Sequence, residues 1–222
     1  MSERVISVRG NGKLELSPNL TVVGFDMEVK SKEYKHAYMK YKHGLKCLNS
    51  VINSLGFKKT DLKTKNWVAE SINDYEDKFV GGSQKYKQIR VTKYRIYHSL
   101  KLEFDINSEM LSNLLSEMSK YELPLKIRIN YEIKEKEEVK NELLKKAMID
   151  AKNKAKIMIE ALGEELGELR EINHNVSNYS HGFMGDSYTL QSNKVSFDSY
   201  ISDFEPEDLK FYDYVDLIWE IK

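Results

Sequence analysis

The residues of this chain whose types could do chemistry are five histidines, one cysteine and an Asp–Lys pair. His174 and His181 flank a stretch that also holds Asp186, and three such groups could bind zinc. Their spacing fits no ligand pattern, so surface histidines are expected there and no metal. His36 and His43 fall on the polar side of a helical pattern. His98 falls on the apolar side of an alternating one, where a hydrogen-bonded core residue is expected. Cys47 lies mid-helix near Leu45 and Leu48, a place for a packed thiol rather than a nucleophile. As the single cysteine it also rules out an intramolecular disulfide. Asp150 and Lys154 stand four apart, the spacing of a surface ion pair on a helix. Gly10-Asn11-Gly12-Lys13 lacks the Walker pattern and opens no helix, so Asn11-Gly12 reads as a hairpin turn. There is no Gly-x-Ser-x-Gly elbow either. The expectation is a non-enzymatic protein with no cofactor.

Lys85, Lys87, Arg90, Lys93 and Arg95, with Tyr86, Tyr94 and Tyr97 between them, have the composition of a nucleic-acid face. The overall charge argues the other way. Lys plus Arg and Asp plus Glu number 35 each, which gives no general pull toward nucleic acid or anionic lipid. The favoured reading is the solvated side of an exposed strand, with lysines guarding an edge. Zero net charge also leaves little repulsion between copies, which favours a homo-oligomer.

The candidate partner-binding surface is the stretch 175–202, rich in Ser, Asn, Gly and Tyr and without a steady period. Tyr179, Phe183, Met184, Tyr188, Phe197 and Tyr200 stand there in polar surroundings. Aromatics on a long irregular loop can anchor a protein partner, or they can fold back onto their own sheet; the alternative expectation is a small-molecule or nucleic-acid binding protein that uses the pocket or surface beside this loop.

The elements that must position these residues follow from periodicity. Strands are expected at 5–9 and 13–16. From Thr21, the residues Val23, Phe25, Met27 and Val29 alternate as a half-buried strand. Ser31 would cap a helix whose stripe runs Tyr34, Tyr38, Tyr41, Leu45, Leu48, Ile52 and Leu55, with Gly56 just past its end. A strand at 64–71, a polar loop over 73–84 and a strand at 85–105 come next. Asn107 or Ser108 caps a shorter helix through Leu111, Leu114, Leu115 and Met118. A strand through Leu125, Ile127, Ile129, Tyr131 and Ile133 precedes a long helix over about 135–162. Its Ala147, Ala151 and Ala155 form a small-residue stripe. Strands at 169–174 and 215–221 close the chain. Hairpins dominate without strict βαβ alternation, so the class is α+β: antiparallel sheets packed by two long helices and one shorter one, in a single domain over 1–222. No segment approaches the length of a membrane span or a signal peptide, so no membrane insertion and a cytoplasmic location are expected.

Several strings recur in a known family. Val8-Arg-Gly10-Asn-Gly12 with Pro18-Asn19 resembles the opening motif of the SIMPL-domain family. Leu55-Gly56-Phe57 followed by Asp61-Leu62 and Thr64 is similar to its helix end and next strand start. Tyr94 to Asp105 resembles its long central strand. Asp150, Ala151, Lys154 and Ala155, with Leu162-Gly163, resemble its most recognisable helix. Pro206 and Val215 to Ile221 resemble its closing strand. Asn19 stands where the family usually has Asp. The resemblance implies an α+β fold, a tendency to oligomerise, a loose link to stress response and no agreed catalytic residues. Many bacterial members are exported.

Overall fold

The structure, a computed structural model, describes residues 4–80, 85–174, 188–191 and 205–222. Its strands are β1 (Val5–Leu16), β2 (Leu20–Ser31), β3 (Lys63–Val80), β4 (Lys85–Asp105), β5 (Leu125–Glu132), β6 (Leu166–Asn173), β7 (Tyr188–Gln191) and β8 (Leu209–Ile221). Its helices are α1 (Tyr34–Ser54), α2 (Ser108–Ser119) and α3 (Lys136–Ala161). The fold is α+β, with two antiparallel sheets packed by helices. Chain contacts divide it into two compact units.

The first unit comprises 1–20, 131–186 and 206–222 and holds a three-stranded sheet in the order β1-β8-β6. α3 lies across one face. Ala147, Ala151, Ala155 and Ile159 meet Ile6, Val8, Val215, Leu217 and Trp219 in one buried cluster. Farther along α3, Val139 and Leu143 pack on Leu209 and Phe211. The expected hairpin at Asn11-Gly12 does not form. β1 runs straight through it, with Asn11 opposite Tyr214 and Gly12 opposite Asp213 on β8. The glycines serve a different need. A Cβ on Gly10 would sit 1.9 Å from the Ala147 carbonyl oxygen, and one on Gly12 would sit 2.1 Å from that of Leu143. Bare backbone at alternate positions of β1 therefore lets α3 lie directly on the sheet.

The Asp150–Lys154 pair forms as expected, at 2.6 Å, and does more than decorate the helix. Among the described strands β1 lies at the edge of its sheet, so part of its backbone has no strand partner among them. Asp150 accepts the Asn11 amide proton at 2.7 Å, and the Lys154 ammonium donates to the Arg9 carbonyl at 3.3 Å. Lys154 foremost, then the Asn11 amide, hold the Asp150 carboxyl below its usual range.

The second unit comprises 21–130 and 187–205 and holds a five-stranded sheet in the order β3-β4-β2-β5-β7. Phe25, Met27, Ile96, Leu102 and Ile127 line its covered face, and Leu48, Ile52, Leu114 and Leu115 come from α1 and α2. β2 is internal to the sheet and is buried more fully than an alternating strand predicts. Val22 and Asp26, on its opposite face, are buried too. Glu33, not Ser31, is the N-cap of α1; Ser31 ends β2, and its hydroxyl accepts from the Glu33 amide. Asn107 caps α2 as expected, taking the Met110 amide proton at 2.9 Å. Gly56 and Gly163 follow the ends of α1 and α3 with φ of +87° and +72°, the left-handed conformation that stops a helix.

Two expected loops contain strand. β3 continues to Val80 through the polar residues after Asn73, because each is matched across the ladder to β4. Tyr188–Gln191, inside the stretch expected to be irregular, forms β7 and pairs with Lys126 to Ile129 of β5.

Candidate functional site

Several of the titratable residues singled out above are tied into local structure. His98, from β4, is buried, with Nδ1 3.0 Å from the Tyr41 hydroxyl and Nε2 3.0 Å from the Thr64 hydroxyl. Burial pushes its pKa below the ordinary imidazole value. Burial also raises that of Tyr41, against a smaller opposing effect from its bond with Trp67. His36 and His43 are exposed on α1, and Cys47 is half-buried with its Sγ 3.7 Å from His43. His174, at the end of β6, lies 3.0 Å from the buried Asp213 carboxylate of β8. His181 and Asp186 lie outside the described residues. Among the described residues no group of three or more His, Cys, Asp or Glu is placed to hold a metal.

Sequence reasoning missed a polar cluster centred on Asp26. Its carboxylate accepts from Tyr97 at 2.9 Å and Ser99 at 2.7 Å, and pairs with Arg128 at 2.6 Å. These residues come from β2, β4 and β5, so only strand pairing brings them together. These three interactions satisfy a buried carboxylate, and the cluster reads as an internal tie of the sheet. The same face carries part of the basic stretch. Arg95 is bonded to Glu28 at 2.6 Å and Glu70 at 2.9 Å, and Lys93 to Asp74 at 2.8 Å. Those cations are neutralised across the strands, as a solvated sheet face requires. β4 is internal, however, so the edge these residues were expected to guard belongs to β3.

The first unit also carries a cleft of about 660 Å³ where β1 ends and α3 begins. Leu14, Leu16, Ile133 and Val139 floor it, and Glu138 and Glu142 stand on its rim.

β3 presents the most distinctive surface. Among the described strands β4 is its sole neighbour in the sheet, so its other backbone edge has no partner among them. Register assigns its side chains to two faces. Val68, Glu70 and Ile72 lie opposite Tyr97, Arg95 and Lys93, on the charged face just described. Trp67, Ala69, Ser71, Asn73 and Tyr75 lie on the other face, opposite His98, Ile96, Tyr94, Thr92 and Arg90. Every one of those five is uncharged and exposed, Trp67 at 47% and Tyr75 at 64%. Beside them α1 adds Tyr34, in edge contact with Tyr94 at 5.9 Å and stacked on Tyr38 at 6.1 Å. Tyr34 and Tyr38 belong to the stripe expected to be buried, yet they remain 48% and 43% exposed. Exposed aromatics beside an open strand edge make a surface suited to receiving another strand. The signal was present in the alternation of Trp67 to Tyr75, whose odd positions carry no charge.

Of the candidate loop residues, Tyr179, Phe183, Met184, Phe197 and Tyr200 lie outside the described residues. Tyr188 begins β7, its backbone opposite Ile129.

The fold is that of an α+β protein built on two antiparallel sheets. The chain matches the SIMPL family, described as "Protein of unknown function (DUF541)", over residues 6–211, and it belongs to that family. No curated protein matches it. Among the described residues no helix is long and apolar enough to cross a membrane.

Proposed function

We propose that this chain works as a non-enzymatic member of its family that self-associates and binds a protein partner. The observation that carries the reading is β3, at the edge of its sheet among the described strands, whose uncharged positions 67, 69, 71, 73 and 75 are exposed and include Trp67 and Tyr75. Open edges of this kind add strands, and aromatic residues supply most of the contact energy where they do. Zero net charge removes the general repulsion that would oppose contact between copies. The non-enzymatic part is supported by the commitment of polar groups to structure: His98 to Tyr41 and Thr64, Asp26 to Tyr97, Ser99 and Arg128. Tyr179, Phe183, Met184, Tyr188, Phe197 and Tyr200 are proposed as the partner anchors.

Native mass by light scattering behind size exclusion, over a concentration series, tests the reading. A fixed multiple of 26.0 kDa is expected. A monomer at every concentration would overturn self-association. A role in binding small molecules, resting on the apolar-floored cleft beside Glu138 and Glu142, would then take its place.

A further inference from the structure

We propose that two copies of the chain pair through β3, antiparallel about a two-fold axis at Ser71, so that Trp67 of each copy lies opposite Tyr75 of the other. The inference rests on the self-association reading and names its surface and register.

In an antiparallel pair, directly opposite residues point to the same face of the sheet. Side chains alternate along a strand, so a two-fold axis between identical strands must pass through a residue. The axes from Ala69 to Ile72 can then be compared by what they bring together. An axis at Glu70 sets that carboxylate against its own copy, and an axis at Ile72 sets Glu70 against Asp74. Both oppose like charges. An axis at Ala69 sets Tyr75 against Lys63, across the irregularity in β3 between Thr64 and Asn66. The axis at Ser71 avoids all of these. It sets Val68 against Asp74, Glu70 against Ile72 and Ala69 against Asn73, and forms two Trp67–Tyr75 pairs. Its paired span, 67–75, stops short of the irregularity.

The neighbouring helix leaves room. α1 packs over β4, one strand in from the edge. In the pair, the β4 strands of the two copies stand three strand spacings apart, about 14 Å. That exceeds the diameter of a helix with its side chains, about 10–12 Å. The trough between the helices is floored by small residues, Ala69 and Ser71, and filled from each end by an indole and a phenol ring. Tyr34 and Tyr38 form its walls. A two-fold pairing of this kind is self-limiting, since each copy uses its β3 edge once.

Cysteine cross-linking tests the register. Ser71→Cys is made in a Cys47→Ser background and oxidised with a glutathione redox pair. Opposite Cα atoms in such a pair stand about 4.5–5.5 Å apart, within the range a disulfide bridges. Ser71→Cys is expected to give a covalent dimer. Ala69→Cys alone and Asn73→Cys alone are expected to stay uncrosslinked, whereas a mixture of the two links. All these positions are exposed, and circular dichroism verifies that the variants fold. Light scattering on the unoxidised chain is run in parallel. If the chain is a dimer and Ser71→Cys fails to link, or the three variants link equally, the β3 register is wrong while self-association stands. A chain that stays monomeric throughout overturns both.

Discussion

Replacing Gly10 with alanine tests how the first unit is held together. The added methyl carbon would stand 1.9 Å from the Ala147 carbonyl oxygen and 2.6 Å from the Ala151 Cβ. A carbon and a carbonyl oxygen in close contact are normally about 3.3 Å apart, so helix and strand must separate by roughly 1.4 Å. Neither atom near Gly10 is the end of a flexible side chain, and the strain falls on the backbone of α3. Overpacking a close interface costs about 1–3 kcal/mol, and displacing α3 also loosens the Ala147–Ala151–Ala155 seam and the Asp150 bond to Asn11. A loss of about 3 kcal/mol is expected, lowering Tm by roughly 6–12 °C for a chain of this size. Gly12→Ala, at 2.1 Å from the Leu143 oxygen, should act alike. Asn11→Ala supplies the contrast. If Asn11-Gly12 were a hairpin turn, removing Asn would cost stability; in a continuous strand that uses Asn11 through its amide, the change is nearly neutral. Denaturant melts of the three variants decide it. A drop below about 0.5 kcal/mol for Gly10→Ala, with a larger one for Asn11→Ala, would refute the close-packing argument.

Two other perturbations have signed outcomes. Burial depresses the folded-state pKa of His98, so below about pH 6.5 the unfolded chain takes up a proton that the folded chain does not. Stability from this group is therefore full above that pH and is lost as the pH falls; His98→Gln should flatten the slope of urea midpoints between pH 7 and 5, and an unchanged slope would count against it. Asn107→Ala should cost about 1 kcal/mol by removing the α2 cap, with Asn107→Ser restoring most of it, both read from denaturant midpoints.

What could be read from the sequence was what periodicity governs. The stripe of α2, the alternation of β5 and the buried positions Ile96, His98, Leu100 and Leu102 of β4 follow from burial every second residue or every helical turn, and the structure repeats them. His98 was legible for the same reason, since its parity placed it on the buried face. The Asp26 cluster was not, because Tyr97, Ser99 and Arg128 reach Asp26 only through the order in which β2, β4 and β5 pair. Nor was the length of β3. Local composition after Asn73 suggests a loop, while the ladder to β4 supplies the hydrogen bonds that make it a strand.

The misread Gly10-Asn-Gly12 shows why such failures have a common cause. A glycine has two uses: it permits backbone angles other residues avoid, and it leaves a space. Gly56 and Gly163 serve the first, at positive φ with nothing near enough to meet a Cβ. Gly10 and Gly12 serve the second, and what they make room for lies far along the chain in α3. A short-range rule sees the first use alone, so Asn11-Gly12 resembles a turn. The small residues that answer these glycines, Ala147 and Ala151, were visible as a stripe on a helix that needed a close partner. Reading the two motifs together places α3 on β1. It also explains why Asp150 and Lys154 stand beside that stripe: a helix this close to an edge strand can bond the edge's free amide and carbonyl, and so close one edge of its sheet. The β3 edge of the other sheet has no such cover among the described elements, and contact between copies is argued to occur there.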